Sequence, residues 1–331
     1  MSDPVRRVAV TGAAGYVGSE LIERLAHDNA IERILALDIR PPSKPYTSKV
    51  VFYRHDVTAP MAEVLSEHQI DAVVHLAFIL NPSHNHGPVE RVNVGGTANV
   101  LDACARVGVQ YLQYLSSTTV YGAHPDNPPL LSEESPIRPV KGFQYGENKA
   151  QAEALIREHS DRDPVLKATV LRVCPVMGPN ADNFISRAFS KPFLVGIRGS
   201  DPALQFLHED DLIDVMHRCL MERVSGVYNL AGDEPVRWSE MTSMFGRRLI
   251  SLPAPLLYGL TGVTWALHLQ GDSPPCGLDF IKHRWTVGTE KIRVDLGIAL
   301  RYSSKNAWED FVHRQREREP APAPVDTTQG P

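Results

Sequence analysis

Short apolar runs and longer amphipathic segments alternate along the first half of the chain. The apolar runs predict buried strands at residues 7–11, 34–38, 50–54, 71–77, 111–116 and 168–173. Between them, apolar residues recur at helical spacing and predict helices at residues 16–27, 61–68, 89–107 and 145–159. Strands that alternate with helices are typical of a parallel sheet covered on both faces. The predicted fold class is therefore α/β, with a doubly wound parallel sheet.

The pattern becomes less regular after Pro175, where prolines and glycines recur among short strands and helices. We therefore predict a domain over residues 1–175 and a smaller mixed region over 176–315 that is interleaved with the sheet. Residues 316–331 are charged and then proline-rich, a composition that predicts a disordered tail.

Residues 249–269 contain no charged side chain, but they include two prolines, two glycines and a histidine. The length alone permits a membrane span. The interruptions favour a core helix or a lid over an apolar pocket, so we expect no stable membrane insertion.

Composition excludes several function classes. The chain of 331 residues has a net charge of −5 and no block of lysine and arginine, so we expect no nucleic-acid partner. Its four cysteines form no C-x-x-C pair, which favours neither a zinc site nor disulfides. His84-Asn-His86 lacks a third ligand at suitable spacing, so no metal is expected. The first residues lead into a strand without a signal peptide, and we predict a cytoplasmic protein.

Glycines at positions 12, 15 and 18 lie between the first strand and the first helix. Such a loop lets the backbone approach a pyrophosphate, while the helix N-terminus supplies N–H donors. Asp38 ends the second strand, where a carboxylate accepts hydrogen bonds from ribose hydroxyls and repels a 2′-phosphate. We therefore predict NAD as the cofactor, although Arg40 leaves NADP open. Asp56 and Val57 follow the third strand, where they would contact the adenine ring. Leu76 and Ala77 follow the fourth strand, where they would line the cofactor.

Tyr145 and Lys149 are four residues apart and therefore share one face of a predicted helix. A tyrosine with a pKa of about 10 is a poor base at neutral pH, and lowering that pKa to 7 requires about 4 kcal/mol. The ammonium of Lys149, together with an oxidised nicotinamide, is suited to supply this stabilisation.

These motifs occur in a recognisable order. They are Thr11-Gly-Ala-Ala-Gly-Tyr-Val-Gly18, Asp56-Val57, His75-Leu-Ala77, Asn93-Val-Gly-Gly-Thr97, Ser116-Ser-Thr-Thr-Val-Tyr-Gly122, Tyr145-x-x-x-Lys149 and Leu171-Arg-Val-Cys-Pro-Val-Met-Gly-Pro179. Over residues 5–312 the chain resembles extended short-chain dehydrogenases/reductases of the NAD-dependent epimerase/dehydratase group. Its C-terminal third resembles the 3β-hydroxysteroid dehydrogenase-like branch. The resemblance implies a Rossmann domain followed by a substrate-binding region.

The resemblance also implies roles for individual residues. Tyr145 would be the general acid/base, Ser117 would orient the substrate oxygen, and Thr119 would contact the substrate. Lys149 would also hold the nicotinamide ribose, and Asn93 would fix local structure near the site. His208-Glu-Asp-Asp211 would be mainly structural, and helices 89–107 and 145–159 would form a homodimer interface. The complete predicted cofactor set is Gly12, Gly15, Tyr16, Val17, Gly18, Asp38, Asp56, Val57, Leu76, Ala77, Asn93, Lys149 and Pro175.

The sequence departs from sugar-nucleotide enzymes of this group at two positions. Pro175 stands where they usually carry an asparagine that reaches the diphosphate, and Ala203-Leu-Gln205 contains no arginine before Phe206. A diphosphate needs charge-assisted donors, which Arg198, Arg237 or Arg284 would have to supply instead. We therefore predict an NAD-dependent oxidoreductase acting on a bulky, weakly polar secondary alcohol. The alternatives are a sugar-nucleotide 4-epimerase or dehydratase, and a non-catalytic dinucleotide-sensing protein.

Overall fold

The computed structural model describes residues 5–181, 183–189 and 191–318. The strands are β1 (Arg7–Thr11), β2 (Arg33–Asp38), β3 (Val50–Arg54), β4 (Ala72–His75), β5 (Tyr111–Ser117), β6 (Lys167–Val173), β7 (Val176–Met177), β8 (Phe193–Ile197), β9 (Ala203–Leu204), β10 (Leu207–His208), β11 (Gly226–Leu230), β12 (Val236–Arg237) and β13 (Arg248–Leu252). The helices are α1 (Tyr16–Ala26), α2 (Ala62–Glu67), α3 (His86–Glu90), α4 (Gly96–Val107), α5 (Gln144–Arg162), α6 (Phe184–Ala188), α7 (Glu209–Met221), α8 (Trp238–Met244), α9 (Ala254–Ala266), α10 (Glu290–Leu296) and α11 (Ser304–Arg318). A π-helical turn (Arg91–Gly95) joins α3 to α4, and 3₁₀ helices cover Thr118–Tyr121 and Pro275–Ile281.

Seven parallel strands form the central sheet in the order β11-β6-β5-β4-β1-β2-β3. The chain moves outward from β1 through β2 to β3, and then returns to build the other half from β4. The strand order therefore reverses between β1 and β4, whose ends are in register at Thr11 and His75. In such sheets ligands bind in the crevice beyond the carboxyl ends of the strands at this reversal. The predicted doubly wound α/β fold is confirmed.

Helices cover both faces of this sheet. On one face the core contains Leu21, Ile22 and Leu25 of α1, and on the other it contains Val100, Leu101 and Cys104 of α4. These residues recur at helical spacing, which is why each helix places one apolar stripe on the sheet. A third core, around Phe189, Phe206 and Trp308, stabilises the C-terminal region.

The C-terminal region contributes to the main sheet. β11 pairs along its whole length with β6, and its Tyr228, Asn229 and Leu230 are buried. β11, which comes from the C-terminal half of the chain, is therefore a strand of the central sheet. Helix α11 continues to Arg318, three residues into the predicted disordered tail, and residues 319–331 lie outside the described residues.

The apolar segment 249–269 covers most of β13 and all of α9. Of its two predicted roles, the core helix is wrong, whereas the lid over an apolar pocket stays a prediction. Leu257 is buried, whereas Leu256, Leu260 and Val263 are more than half exposed. The hydrophobicity of a segment does not show whether its helix is buried on all sides or exposed on one. In α9 only the side that carries Leu257 is covered, by Ile197 and Leu278. Within the described residues no helix is long and apolar enough to cross a membrane.

Candidate active site

The glycine-rich loop connects β1 to α1 at the strand-order reversal. Gly12 has a left-handed φ of +70°, and a Cβ there would lie 2.7 Å from the backbone nitrogen of Ala77. A Cβ on Gly18 would lie 2.3 Å from the carbonyl oxygen of Gly12, so α1 packs against the loop only because this position is glycine. Gly15 caps α1 without a side-chain hydrogen bond. The first N–H groups of α1 are thus available to an anion.

A buried hydrogen-bond chain joins this loop to the end of β4. Thr11 Oγ1 accepts from the backbone N–H groups of Leu76 (3.1 Å) and Ala77 (3.2 Å), and it lies 2.8 Å from Nδ1 of His75. Nε2 of His75 lies 3.0 Å from Oγ1 of Thr97, which itself donates to the carbonyl of Asn93 at 2.6 Å. Burial lowers the pKa of His75 to about 3.

The protonation of His75 follows from this chain. Because Thr97 uses its only proton on Asn93, Nε2 of His75 must donate, and Nδ1 must accept from Thr11. His75 is therefore a neutral positioning residue that fixes Leu76 and Ala77 beside the glycine loop. Asn93 adds to this role, since its side chain accepts from the N–H of Ile79 at 2.7 Å and donates to its carbonyl at 3.1 Å.

Asp38 lies buried at the end of β2, directly beside the glycine loop. One carboxylate oxygen accepts from the N–H of Ala14 and the other from the N–H of Arg40, both at 2.9 Å. Each oxygen keeps lone pairs for a further donor. Asp56 instead accepts from Thr58, whose N–H lowers the pKa of that carboxyl group. Val57, its neighbour, is buried against Gly96.

Ser117 and Tyr145 meet beyond the end of β5. Oγ of Ser117 accepts from the N–H (3.2 Å) and the hydroxyl (3.0 Å) of Thr119, which places these three predicted residues together. Burial raises the pKa of Tyr145 to about 12, against the hydrogen bond with Ser117, which lowers it. A phenol with this pKa is protonated and can donate. Lowering this pKa from about 12 to 7 would require about 7 kcal/mol of stabilisation of the phenolate. That is more than the about 4 kcal/mol needed from a starting pKa of about 10.

Lys149 lies one helical turn after Tyr145 and is buried. Its Nζ donates to the carbonyl of Leu115 at 2.6 Å and lies 3.6 Å from the centre of the Phe78 ring. Burial lowers the pKa of Lys149 to about 7, while the charge of Glu153 opposes this effect. The Phe78 ring also contacts Tyr145 edge-on, with centroids 5.7 Å apart. Phe78 therefore contacts both predicted catalytic side chains, a position that no local pattern indicated.

A buried ion pair supports α5 behind this site. The guanidinium of Arg172 donates to both oxygens of Glu153, with Nη2–Oε2 at 2.8 Å, and its Nη1 donates to the hydroxyl of Tyr121 at 2.8 Å. Ser116 donates to the same carboxylate. Arg172 and Ser116 thus hold α5 against β5 and β6. Glu153 was missed because nothing local distinguishes it from a surface helix residue.

A cleft opens beside Tyr145. Its lining is mostly apolar and consists of Ile79, Leu80, Asn81, Pro82, Ser83, His86, Val89, Gly142, Phe143, Gln144, Tyr145, Trp265 and Pro274. Trp265 reaches it from α9 and stacks on His84 at a centroid distance of 3.8 Å. Arg198, Arg237 and Arg284 are absent from this described lining. Arg187, which the sequence did not single out, donates to Asn81 at 2.8 Å.

The remaining predicted residues hold the surrounding backbone. Tyr16 donates its hydroxyl to Glu209, whose carboxylate also accepts from the side chain of Asn180 at 2.9 Å. Burial raises the pKa of Glu209 to about 7. Pro175 accepts from the N–H of Leu207 at 3.1 Å, and Val17 packs against the sheet core. These contacts join the glycine loop to the substrate-binding region.

Comparisons with known proteins find relatives in sequence and in fold. An uncharacterized protein of Mycobacterium tuberculosis is 27% identical over 311 residues, which cover 92% of this chain and 82% of that protein. A UDP-glucose 4-epimerase of Lactobacillus helveticus is 30% identical over 184 residues, covering 54% of each. The structure of MoeE5 in complex with UDP-glucuronic acid and NAD is similar with a TM-score of 0.73 and 26% identity, covering 95% of this chain and 100% of that one.

The family model described as "NAD dependent epimerase/dehydratase family" matches residues 8–231. That span contains the glycine loop, the His75 chain and the group formed by Ser117, Tyr145 and Lys149. The resemblance drawn from the ordered motifs is confirmed. The chain belongs to the NAD-dependent epimerase/dehydratase family.

Proposed function

We propose that this protein is an NAD-dependent oxidoreductase that interconverts a secondary alcohol and a ketone, with Tyr145 as the proton-transferring group. The observation that carries the proposal is the meeting of Ser117, Tyr145 and Lys149 at the carboxyl ends of β5 and the neighbouring strands. When bound, NAD supplies the hydride acceptor. The first N–H groups of α1, which no capping side chain occupies, fit its pyrophosphate, and the lone pairs of Asp38 fit its ribose.

The chain's own residues have distinct tasks in this reaction. Ser117 orients the substrate oxygen toward the hydroxyl of Tyr145, which donates a proton to a ketone or removes one from an alcohol. In the reducing direction the raised pKa of Tyr145 suits a proton donor. In the oxidising direction a nearby positive charge has to stabilise the phenolate. Lys149, whose Nζ lies 5.8 Å from the Tyr145 ring, is the nearest candidate for that charge.

Two classes of substrate compete for the cleft. Its apolar lining, including Ile79, Phe143 and Trp265, favours a bulky and weakly polar alcohol. The similarity to MoeE5 and to a UDP-glucose 4-epimerase favours a sugar nucleotide that is oxidised transiently and then epimerised or dehydrated. Arg187, which is hydrogen-bonded to Asn81 at the cleft, is the arginine best placed for a diphosphate.

A cytoplasmic homodimer through α4 and α5 completes the proposal and would appear as a doubled mass in ultracentrifugation.

One set of assays separates these candidates. The purified protein is incubated with NAD and a panel of sterols, terpenoid alcohols, aryl alcohols and UDP-sugars, while NADH absorbance and sugar epimers are followed. NADH formation with an apolar alcohol supports the first substrate, and epimer formation with tightly retained NAD supports the second. Tyr145→Phe is expected to abolish turnover in either case while NAD binding persists. An unchanged rate would remove Tyr145 from the mechanism, and full inactivity with bound NAD would favour a sensing protein.

A further inference from the structure

Lys149 carries a buried ammonium group that has no carboxylate partner. Only 5% of the residue is exposed, and it forms no ion pair among the residues that the structure describes. Glu153, one helical turn further along α5, accepts from Arg172 and Ser116 instead. One N–H of the ammonium donates to the carbonyl of Leu115 at 2.6 Å. A charge buried with so few partners loses its proton unless its surroundings favour the charged form.

Aromatic rings surround the ammonium where a counter-ion would otherwise lie. Nζ of Lys149 lies 3.6 Å from the ring centre of Phe78, 4.7 Å from that of Tyr114 and 5.8 Å from that of Tyr145. The face of an aromatic ring attracts a cation within about 6 Å of its centre, and the attraction is stronger where water is excluded. Phe78 is the nearest of these rings, so it contributes most to the attraction.

The backbone is fixed on both sides of Phe78. Before it, the N–H of Ala77 donates to Oγ1 of Thr11 at 3.2 Å. After it, the side chain of Asn93 accepts from the N–H of Ile79 at 2.7 Å and donates to its carbonyl at 3.1 Å. These bonds attach the segment to β1 and to the π-helical turn. The ring of Phe78 is therefore held over Lys149 by contacts that do not involve the lysine.

The titratable groups around Lys149 leave its charge finely balanced. Burial lowers the pKa of Lys149 to about 7, and the charge of Glu153 on α5 opposes this effect. Burial and the charge of Lys149 lower the pKa of His75 on β4 to about 3, so this imidazole stays neutral. Burial raises the pKa of Tyr114 on β5 and of Tyr145 on α5, so both phenols stay protonated. A modest attraction from a ring face is therefore enough to decide the protonation of Lys149 near neutral pH.

We propose that Phe78 is a positioning residue for Lys149: the face of its ring holds the ammonium in the charged form beside Tyr145. This role follows from the contacts of the ring. Its consequence for catalysis rests on the proposed function, in which the charge of Lys149 stabilises the phenolate of Tyr145. Without the ring the same lysine would lose its charge at a lower pH.

Nuclear magnetic resonance measures the protonation of Lys149 without substrate or cofactor. The full-length protein is labelled with ¹³C at Cε of its lysines, and the Lys149 signal is the one that Lys149→Met lacks. Titration between about pH 5 and about pH 10 then gives the pKa. Phe78→Leu keeps the surroundings apolar but removes the ring face, so we expect it to lower the pKa of Lys149 by about one unit, an about tenfold weaker hold on the proton. Phe78→Tyr keeps the ring face and should leave this pKa nearly unchanged.

Phe143→Leu is the matched control for the loss of a ring beside Tyr145. The ring of Phe143 contacts that of Tyr145 edge-on, with centroids 6.2 Å apart. In the described part of the chain it makes no contact with the ammonium of Lys149. The pKa of Lys149 should therefore stay the same in this variant.

The sign of the change separates this role from simple packing. If Phe78 only excluded water, its replacement would leave the pKa of Lys149 unchanged or raise it. Either result in Phe78→Leu overturns the proposal, and so does an equal fall in Phe143→Leu. Far-UV circular dichroism verifies folding, and Phe78→Met repeats the comparison if Phe78→Leu does not fold.

The pH dependence of turnover separates this proposal from the proposed function. With a substrate from the panel, the alkaline limit of the active pH range should move down in Phe78→Leu by the same amount as the pKa of Lys149. A fall in this pKa without any movement of that limit would support the role of Phe78 and contradict the use of the Lys149 charge in turnover.

Discussion

The ion pair between Arg172 and Glu153 gives a sharp test of how the site is supported. Both side chains are almost fully enclosed, with 6% and 5% of their surfaces exposed. Replacing Arg172 with Met removes three hydrogen bonds to the carboxylate and leaves Glu153 charged in a dry environment. Breaking a buried pair from one side costs about 3–5 kcal/mol, whereas replacing both partners with apolar residues is often neutral.

We therefore expect Arg172→Met to lower the free energy of unfolding by about 3–5 kcal/mol. Adding Glu153→Leu should recover most of that loss. Guanidinium chloride unfolding, followed by far-UV circular dichroism, measures both values. Ser116 would then lack its acceptor, and the hydroxyl of Tyr121 and the carbonyl of Glu133 would each lose a donor, so the recovery should fall short by about 1–2 kcal/mol. If Arg172→Met costs less than about 1 kcal/mol, or if the double variant is no more stable than the single one, the ion pair is not what holds α5.

Three further predictions concern the cofactor loop and the catalytic helix. Asp38→Ala should weaken NAD binding about tenfold or more and reduce the preference for NAD over NADP, as isothermal titration calorimetry would show. Because the pKa of Lys149 falls from 10.5 to about 7 on folding, the unfolded chain binds the extra proton between these values. Stability from this group should therefore rise from pH 7 toward 10.5, and a melting-temperature series should lose that rise in Lys149→Met. Thr97→Val leaves Nε2 of His75 without its acceptor and should destabilise the protein by about 1–3 kcal/mol in thermal unfolding, with Thr97→Ser as the tolerated control.

The sequence predicted most features of the site that depend on residues close together in the chain. The glycine loop, Asp38 and the shared helix face of Tyr145 and Lys149 follow from spacing, because each depends on neighbours within one strand–loop–helix unit. Phe78 and the partner of Arg172 could not be predicted in this way. Phe78 contacts Lys149 across 71 positions and Glu153 meets Arg172 across 19, so only the tertiary fold brings them together.

The exposure of the apolar helix α9 could not be predicted from the sequence for a different reason. A uniformly apolar segment has no polar side to mark its outward face, so composition cannot tell a buried helix from an exposed one. The cleft could not be predicted from the sequence either. Its lining comes from four separate stretches of chain, within residues 79–89, 142–145, 265 and 274, and only Tyr145 among them carried a recognisable pattern.

The position of β11 has a consequence for the way the protein is made. β11 is the last of the seven sheet strands to be synthesised, and it pairs with β6. The sheet therefore stays incomplete until the ribosome has synthesised residue 230. Until then the growing chain presents β6 as an open edge, with unpaired backbone groups that can recruit other strands. A fragment that stops after Pro175 would retain that edge permanently. Recombinant truncation at this apparent boundary is therefore expected to give aggregates, and shortened versions should keep everything through Leu230.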